Sequence, residues 1–312
     1  MGMYCFGIDV GGTSVKCGLF LTNGTLVEQW EIPTRIENNG SSILPDIAEA
    51  IKKKLDERGI TKDNVDGVGI GIPGPVNEKG EVPMAVNLHW GFKAVASELS
   101  ALTGLPAKAA NDANIAALGE SWKGAAEGAK NVILVTLGTG VGGGIIIDSK
   151  IIAGYHGAGG EIGHACVNHN EVRPCNCGNH GCLEQVASAT GIARLAREAL
   201  AATDAPSVMR EKGNISAKTV FDAVKENDAI AIQVAEKFGS YLGKALATFS
   251  TVADPEIIVI GGGVSKAGPI LLDYIIHPFK EYAFAPCKET TKFALATLGN
   301  DAGIFGAAKL VL

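Results

Sequence analysis

The sequence predicts an α/β protein of two domains, and three observations carry that prediction. Its 312 residues exceed the usual size of a single core, so two domains of roughly 100–200 residues are expected. Short apolar runs alternate with stretches of helical periodicity, and a strand, glycine turn, strand pattern at residues 4–21 returns at residues 131–148. With 46% hydrophobic residues, 19% charged residues and 41 glycines, the chain reads as compact and rich in tight turns, not as disordered.

Taken in order, FGIDVGGTSVKCGLFLTNGTLVEQWEI (6–32) reads as three antiparallel strands. The first turn is Gly-Gly-Thr and the second is Asn23-Gly24, a two-residue hairpin signal. SSILPDIAEAIKKKLDER (41–58) predicts a helix capped by Ser41 or Ser42, with Lys52, Lys53 and Lys54 on its wet face. VDGVGIGIPGPV is a buried strand entering a Gly-Pro loop, and FKAVASELSALTG is a helix closed by Gly104. Ala107–Ala110 form a short strand, and NDANIAALGESW opens another helix. NVILVTLGTGVGGGIIID restarts the strand–turn–strand theme, and a cysteine-rich segment follows it. Helices near 190–202, 216–225 and 228–252 come next, the last stopped by Asp254-Pro255. IIVIGGGVSKAG is strand, glycine turn and helix start; KFALAT and NDAGIFGAAKLVL supply a last strand and helix. No low-complexity linker separates the halves, which favours a hinged cleft. The boundary is set at residues 118/119, giving domains 1–118 and 119–299, with the helix at about 300–312 packing back on the first.

Charge and patterning exclude whole classes of function. A net charge of −6 without a basic run speaks against nucleic acid or an anionic membrane as partner. No apolar run approaches the roughly 20 residues of a membrane span, and MGMYCFGIDVGG lacks the plan of a secretory signal. A cytoplasmic, reducing setting is therefore expected, where clustered cysteines point to metal and not to disulfides. Cys5, Cys17 and Cys287 stand apart and read as buried thiols.

Three glycine turns follow apolar strands: Asp9-Val-Gly-Gly-Thr13, Leu137-Gly-Thr-Gly-Val-Gly-Gly-Gly144 and Gly261-Gly-Gly-Val264. Without a Cβ, backbone amides can approach anionic oxygens, so phosphate is the natural ligand. A dinucleotide fold requires strand, turn, helix, whereas the first two turns join strand to strand; a Walker A loop is absent. In Asn111-Asp112-Ala113-Asn114, Asp112 is either a helix cap or a general base whose ionised form the helix dipole favours. Cys175, Cys177 and Cys182 with one imidazole match a structural Cys₃His zinc site. His164, His169 and His180 all qualify as the fourth ligand, with Cys166 as a rival, and spacing alone does not choose.

Together, DVGGT (9–13), GIPGPV (71–76), NDAN (111–114), LGTGVGGG (137–144), EIGH (161–164), CNCGNHGCLE (175–184) and IGGGV (260–264) resemble the ROK family of sugar kinases and sugar-responsive repressors nearly end to end. The resemblance implies an actin- and hexokinase-like fold, two duplicated ribonuclease H-like domains around a cleft. It implies ATP-dependent phosphorylation of a hexose, glucose favoured, with Asp112 as base. Gly74, Asn111, Glu161, His164 and Glu184 are then sugar ligands, and His164 joins Cys175, Cys177 and Cys182 on structural zinc. Asp9, Gly11, Gly12, Thr13 and Lys16 resemble the first phosphate motif, with Mg²⁺ near Asp9. Gly138, Thr139 and Gly140 resemble the second, and Gly262 and Gly263 the adenosine-side turn. A homodimer is the family expectation. A kinase for fructose, mannose or an N-acetylated hexosamine is the alternative, as is a polyphosphate donor. A repressor needs a leading helix-turn-helix domain, for which the residues ahead of the first strand leave no room.

Overall fold

A computed structural model describes residues 2–312, which contain two five-stranded sheets. In the first, β1 (Tyr4–Val10), β2 (Ser14–Leu21) and β3 (Leu26–Pro33) form an antiparallel meander. Strands β4 (Val65–Ile72) and β5 (Ala107–Asn111) add in parallel, giving the order β3-β2-β1-β4-β5. The second sheet holds β6 (Val132–Leu137), β7 (Val141–Ile147), β8 (Lys150–Ile151), β9 (Ile257–Gly261) and β10 (Lys292–Leu295). Its order, β10-β9-β6-β7-β8, is the same connectivity viewed from the other edge. As β4 and β5 extend the first sheet in parallel, β9 and β10 extend the second. The duplication suggested by two similar stretches of sequence is thus a duplication of whole sheet topology, and the fold is α/β with two related halves.

The helices are α1 (Glu37–Gly40), α2 (Ile43–Arg58), α3 (Val95–Thr103), α4 (Asp112–Lys123), α5 (Glu184–Ala187), α6 (Ala189–Ala201), α7 (Ala217–Lys225), α8 (Ala229–Ala253), α9 (Ile270–Tyr282), α10 (Ala285–Thr290) and α11 (Ala302–Leu310). The chain divides into two compact units. The first takes residues up to Lys130, Gly144–Gly160 and Thr297–Leu312; the second takes Asn131–Gly143 and Glu161–Ala296. Residue 118 lies inside α4, one unbroken helix, so the first unit runs twelve residues past the cut at 118/119. Helix α11 belongs to the first unit and packs on α4 and β1.

In the first unit, alternation along β1 sends Phe6, Ile8 and Val10 into a core with Ile43, Ile47 and Ile51 of α2 and Leu99 of α3. Fully burying each such aliphatic side chain contributes about 2 kcal/mol. The opposite face of β1 and β4 is trimmed to glycine where α11 lies: a Cβ on Gly7 would stand 2.0 Å from the Ile304 carbonyl oxygen. That close seat lets the C-terminal helix reach the sheet, where Ile304 and Ala308 pack with Cys5 and Phe20.

Local differences from the sequence pattern have local causes. The β2–β3 connection is not a two-residue loop: Gly24 takes φ 94° and donates to the Leu21 carbonyl, while the Leu21 N–H bonds Thr25. Only Gly24 is left-handed there, so a longer loop with a shifted register replaces the primed turn. Ser42 stands at the start of α2 in a helical conformation and makes no side-chain cap. Lys54 is not a wet-face lysine, because Glu28 and Glu57 hold its ammonium at 2.6 and 2.8 Å over the Trp30 ring. After β9 the chain makes a 3₁₀ turn at Gly263–Ala267, so the helix whose start the sequence pattern places at the glycine turn begins only at Ile270, as α9, with Pro278 inside it. Cys5, Cys17 and Cys287 are buried thiols as expected. Among the described residues no helix is long and apolar enough to cross a membrane.

Candidate functional site

The candidate residues of the first unit gather at the ends of β1, β4 and β5. Strand β5 ends at Asn111, whose buried side chain caps α4 by accepting from the Ala113 and Asn114 N–H groups at 2.9 and 3.1 Å. The cap is therefore Asn111 and not Asp112. Asn111 also donates to the Gly74 carbonyl at 3.0 Å, fixing the Gly-Pro loop against the start of the helix. Gly74 itself has φ 123°, a conformation that glycine alone adopts without strain. Asp112, one residue on, is exposed and accepts from the Ala113 N–H through Oδ1 at 2.8 Å.

Asp9, at the end of β1, lies close enough to Asp112 for the two carboxylates to repel. Burial first, and the Asp112 charge second, raise the Asp9 carboxyl to about 6, with Lys16 pulling the other way. Lys16 faces Asp9 across the β1–β2 pair, and its ammonium is held by Asp301 and the Asn300 carbonyl, both at 2.9 Å. The turn between the strands, Gly11-Gly12-Thr13, is exposed. It is closed by a Gly11 N–H to Ser14 carbonyl bond, and Thr34 donates to the carbonyls of Gly11 and Thr13.

In the second unit the side chains of His164, Cys175, Cys177 and Cys182 converge, their ligand atoms all within 4.8 Å of one another. Cys177 Sγ and Cys182 Sγ are 3.7 Å apart, and Cys175 Sγ lies 3.8 Å from His164 Nδ1. A tetrahedron with metal–sulfur bonds of about 2.3 Å has ligand separations of about 3.8 Å, so the set has the dimensions of a four-coordinate zinc site. Two of the rivals pair with each other instead: Cys166 Sγ lies 3.5 Å from His169 Nδ1. Burial pushes the Cys175 thiol up and that of Cys182 to about 12, whereas the Asn179 N–H lowers Cys177. A divalent cation bound there would supply the positive charge that three crowded thiolates need. The other imidazole nitrogen, Nε2, lies 4.0 Å from a Glu161 carboxylate oxygen, and both side chains reach solvent.

Glu184 follows Cys182 closely and reaches the second glycine turn. Its Oε2 accepts from the Val141 N–H at 3.0 Å, and its Oε1 lies 3.8 Å from Cys175 Sγ. A Cβ on Gly140 would stand 2.0 Å from Oε2, so the glycine makes room for this carboxylate. The turn, Gly138-Thr139-Gly140, has an internal bond from the Gly138 N–H to the Gly140 carbonyl. The third turn packs against the strand leading into the second, since a Cβ on Gly262, at φ 81°, would meet the Leu137 backbone at 2.6 Å. Beside Gly263 a cavity of about 320 Å³ is lined by Ala217, Phe221, Val264 and Ala267, with Lys218 and Lys225 also on its wall.

Spacing carried the cysteine cluster and the glycine turns. It did not carry Asp301 on Lys16, or Thr190, whose hydroxyl donates to the Thr139 carbonyl at 2.8 Å. The only local signal near Thr190 is Ser188, which caps α6 by accepting from the Gly191 N–H.

Known proteins of similar sequence and fold span nearly the whole chain. A glucokinase of Halalkalibacterium halodurans is 46% identical over 309 residues, covering 98% of this chain and 94% of that protein. A glucokinase of Thermotoga maritima is 35% identical, covering 98% of this chain and 96% of that one. A crystal structure of a ROK family glucokinase from Streptomyces griseus, in complex with glucose and AMPPNP, superposes with a TM-score of 0.75 at 32% identity, covering 98% of each chain. The model of the ROK family matches residues 5–312, so the glycine turns, the Asn111–Asp112 helix start and the cysteine loop all fall inside one family match, and the chain belongs to the ROK family.

Proposed function

We propose that this protein phosphorylates glucose at its 6-hydroxyl with ATP. The observation that carries the reading is the 46% identity to a glucokinase over nearly the whole of both chains. The glycine turns support it chemically, because a kinase must hold a triphosphate, and backbone amides at strand ends do so. Bare hexose presents hydroxyls, and Asn111, Asp112, Glu161, His164 and Glu184 supply the acceptors and donors to match them. Gly74 lines the same side of the first unit through its bond to Asn111.

In this mechanism Asp112 is the general base. Asn111 caps α4, and the Asp112 carboxylate, its Oδ1 steadied by the Ala113 N–H, receives the 6-hydroxyl proton. Asp9, Gly11, Gly12, Thr13 and Lys16 of the first unit and Gly138, Thr139 and Gly140 of the second hold the phosphates; Gly262 and Gly263 flank the adenosine. Mg²⁺, for which Asp9 offers a hard oxygen ligand, neutralises phosphate charge when bound with the nucleotide. Zinc on His164, Cys175, Cys177 and Cys182 has four protein ligands and serves to order the loop. If Nδ1 ligated the zinc, His164 would carry its ring proton on Nε2, the nitrogen 4.0 Å from Glu161, and could act there as a donor. The setting is cytoplasmic and reducing, and the assembly a homodimer, which light scattering tests directly.

Asp112→Asn tests the assignment of the base. It should retain glucose binding and lower kcat by about 10²–10⁴-fold. A kcat within threefold of wild type would remove Asp112 from that role. An ADP-release assay over glucose, fructose, mannose and N-acetylglucosamine, with ATP or polyphosphate, tests the substrate. A higher kcat/KM for any sugar other than glucose would change the acceptor and leave the family assignment standing.

A further inference from the structure

The second glycine turn is gripped on successive backbone groups by one short segment of chain. Glu184 Oε2 takes the Val141 N–H at 3.0 Å. The Ala189 N–H donates to the Gly138 carbonyl at 2.8 Å, and Thr190 Oγ1 donates to the Thr139 carbonyl at 2.8 Å. The Thr190 hydroxyl is itself placed by Ser188 Oγ at 2.9 Å, and Ser188 is fully buried at the head of α6. Residues 184–190 therefore bracket residues 138–141 from both the N–H and the carbonyl side. The bracket begins two residues after Cys182, and Glu184 Oε1 reaches back to Cys175 Sγ at 3.8 Å.

We propose that Glu184 and Thr190 are positioning residues for the nucleotide, setting the second glycine turn in the conformation that receives phosphate. The proposal rests on the kinase reading and deepens it. Gly140 carries the argument beyond ordinary loop packing. Glycine at a phosphate turn is expected to admit the ligand, yet here the atom that leaves no room for a Cβ, at 2.0 Å, is a carboxylate oxygen of the chain itself. The turn is thus built around Glu184 before any nucleotide arrives. A turn held in advance loses less conformational freedom when ligand binds, so loosening either brace should appear as weaker nucleotide affinity. Glu184 then serves the sugar and the nucleotide with one side chain, and the order of the cysteine loop passes to the nucleotide through it.

The test separates the two ligands by measuring each alone. AMPPNP affinity is measured by calorimetry without sugar, and glucose affinity without nucleotide, on zinc-replete protein whose metal content and melting temperature are recorded. Glu184→Ala should weaken AMPPNP about tenfold, the scale of a lost hydrogen bond to a charged group. Glu184→Gln keeps an oxygen acceptor for the Val141 N–H and should restore AMPPNP affinity to within about threefold of wild type. Thr190→Val, at an exposed position that tolerates the change, should weaken AMPPNP about threefold to fivefold and leave glucose affinity unaltered. A general loss of structure would lower the melting temperature, would move glucose as well as AMPPNP in Thr190→Val, and would not be rescued by glutamine at Glu184. Wild-type AMPPNP affinity in both Glu184→Ala and Thr190→Val overturns the positioning role, even if glucose binding is lost in the first. Failure of the wild-type protein to bind AMPPNP overturns the kinase reading and this proposal with it.

Discussion

The two glycine turns that join β1 to β2 and β6 to β7 occupy the same place in two copies of one sheet topology, yet they are held differently. The first is braced from within its own meander, by Thr34 just past the end of β3. The second is braced from outside, by residues 184–190 at the end of the cysteine loop. The two sheets diverge where the meander ends: residues 34–42 lead from β3 to α2, whereas residues 152–183 lead from β8 to α5 and carry Glu161, His164 and all three clustered cysteines. A duplicated scaffold has thus kept its strands and its turn and has placed its new chemistry in one connection. The difference teaches that a turn's sequence specifies its shape, while its support depends on what the next connection brings.

The sharpest way to break that comparison is to disrupt the proposed zinc site. If the second turn depends on the cysteine loop and the first does not, Cys182→Ser or zinc chelation should destabilise the second unit by at least ~4 kcal/mol, since structural zinc sites contribute this much and more. Hydrogen exchange should then show amides of residues 138–141 and 161–190 losing protection while residues 4–33 keep theirs. Equal loss in both turns would mean that the two supports are not separate.

A smaller effect should appear equally in both halves and so sharpens the likeness. Helix α11 crosses α4 where a Cβ on Gly306 would stand 1.6 Å from the Ile115 carbonyl oxygen. In the second unit α8 crosses α9 where a Cβ on Gly239 would stand 2.1 Å from the Tyr274 carbonyl oxygen. Gly306→Ala and Gly239→Ala should each cost about 3 kcal/mol, the upper range for overpacking against backbone that cannot move aside. Denaturant midpoints measure this, and tolerance of one substitution alone would show that the two helix pairs are not equivalent.

Much of this was legible in the sequence, for identifiable reasons. Alternation and glycine punctuation located nearly every strand, because both record constraints acting within a few residues. The Cys175, Cys177 and Cys182 spacing indicated a metal loop for the same reason, although spacing left His164, His169 and His180 open; the family resemblance chose His164, which the fold brings beside Cys175. What stayed hidden depends on partners distant in the chain. Lys54 looked solvated because Glu28 and Trp30 belong to another element. Asp112 looked like a cap because Asn111 and Asp112 are both good capping residues, and only the backbone shows that β5 runs on through Asn111. The bracket of Glu184 and Thr190 on the second turn spans more than forty residues, beyond any local pattern.

The smallest predicted effect contrasts the carboxylates that serve the two turns. Asp9 is half-buried near Asp112, and its carboxyl rises from 3.8 to about 6, whereas Glu184 accepts a backbone N–H. An acid whose folded value is raised destabilises the fold once it must ionise. Below pH 3.8 Asp9 is protonated in both states and costs nothing. Between that pH and about 6 the unfolded chain releases its proton while the folded one retains it, so stability falls as pH rises, and above 6 the full cost remains. A shift of this size corresponds to a ceiling of about 3 kcal/mol, and partial solvent access reduces it to roughly 1–2 kcal/mol. Asp9→Asn should therefore raise the melting temperature of nucleotide-free protein by several degrees at pH 7 and by little at pH 4, while turnover falls. Glu184→Gln removes charge from a carboxylate that a backbone amide already holds, and it should bring no such gain. A matching rise for both variants would mean that charge alone, and not the way each turn is supported, sets the stability of these ends of the sheets.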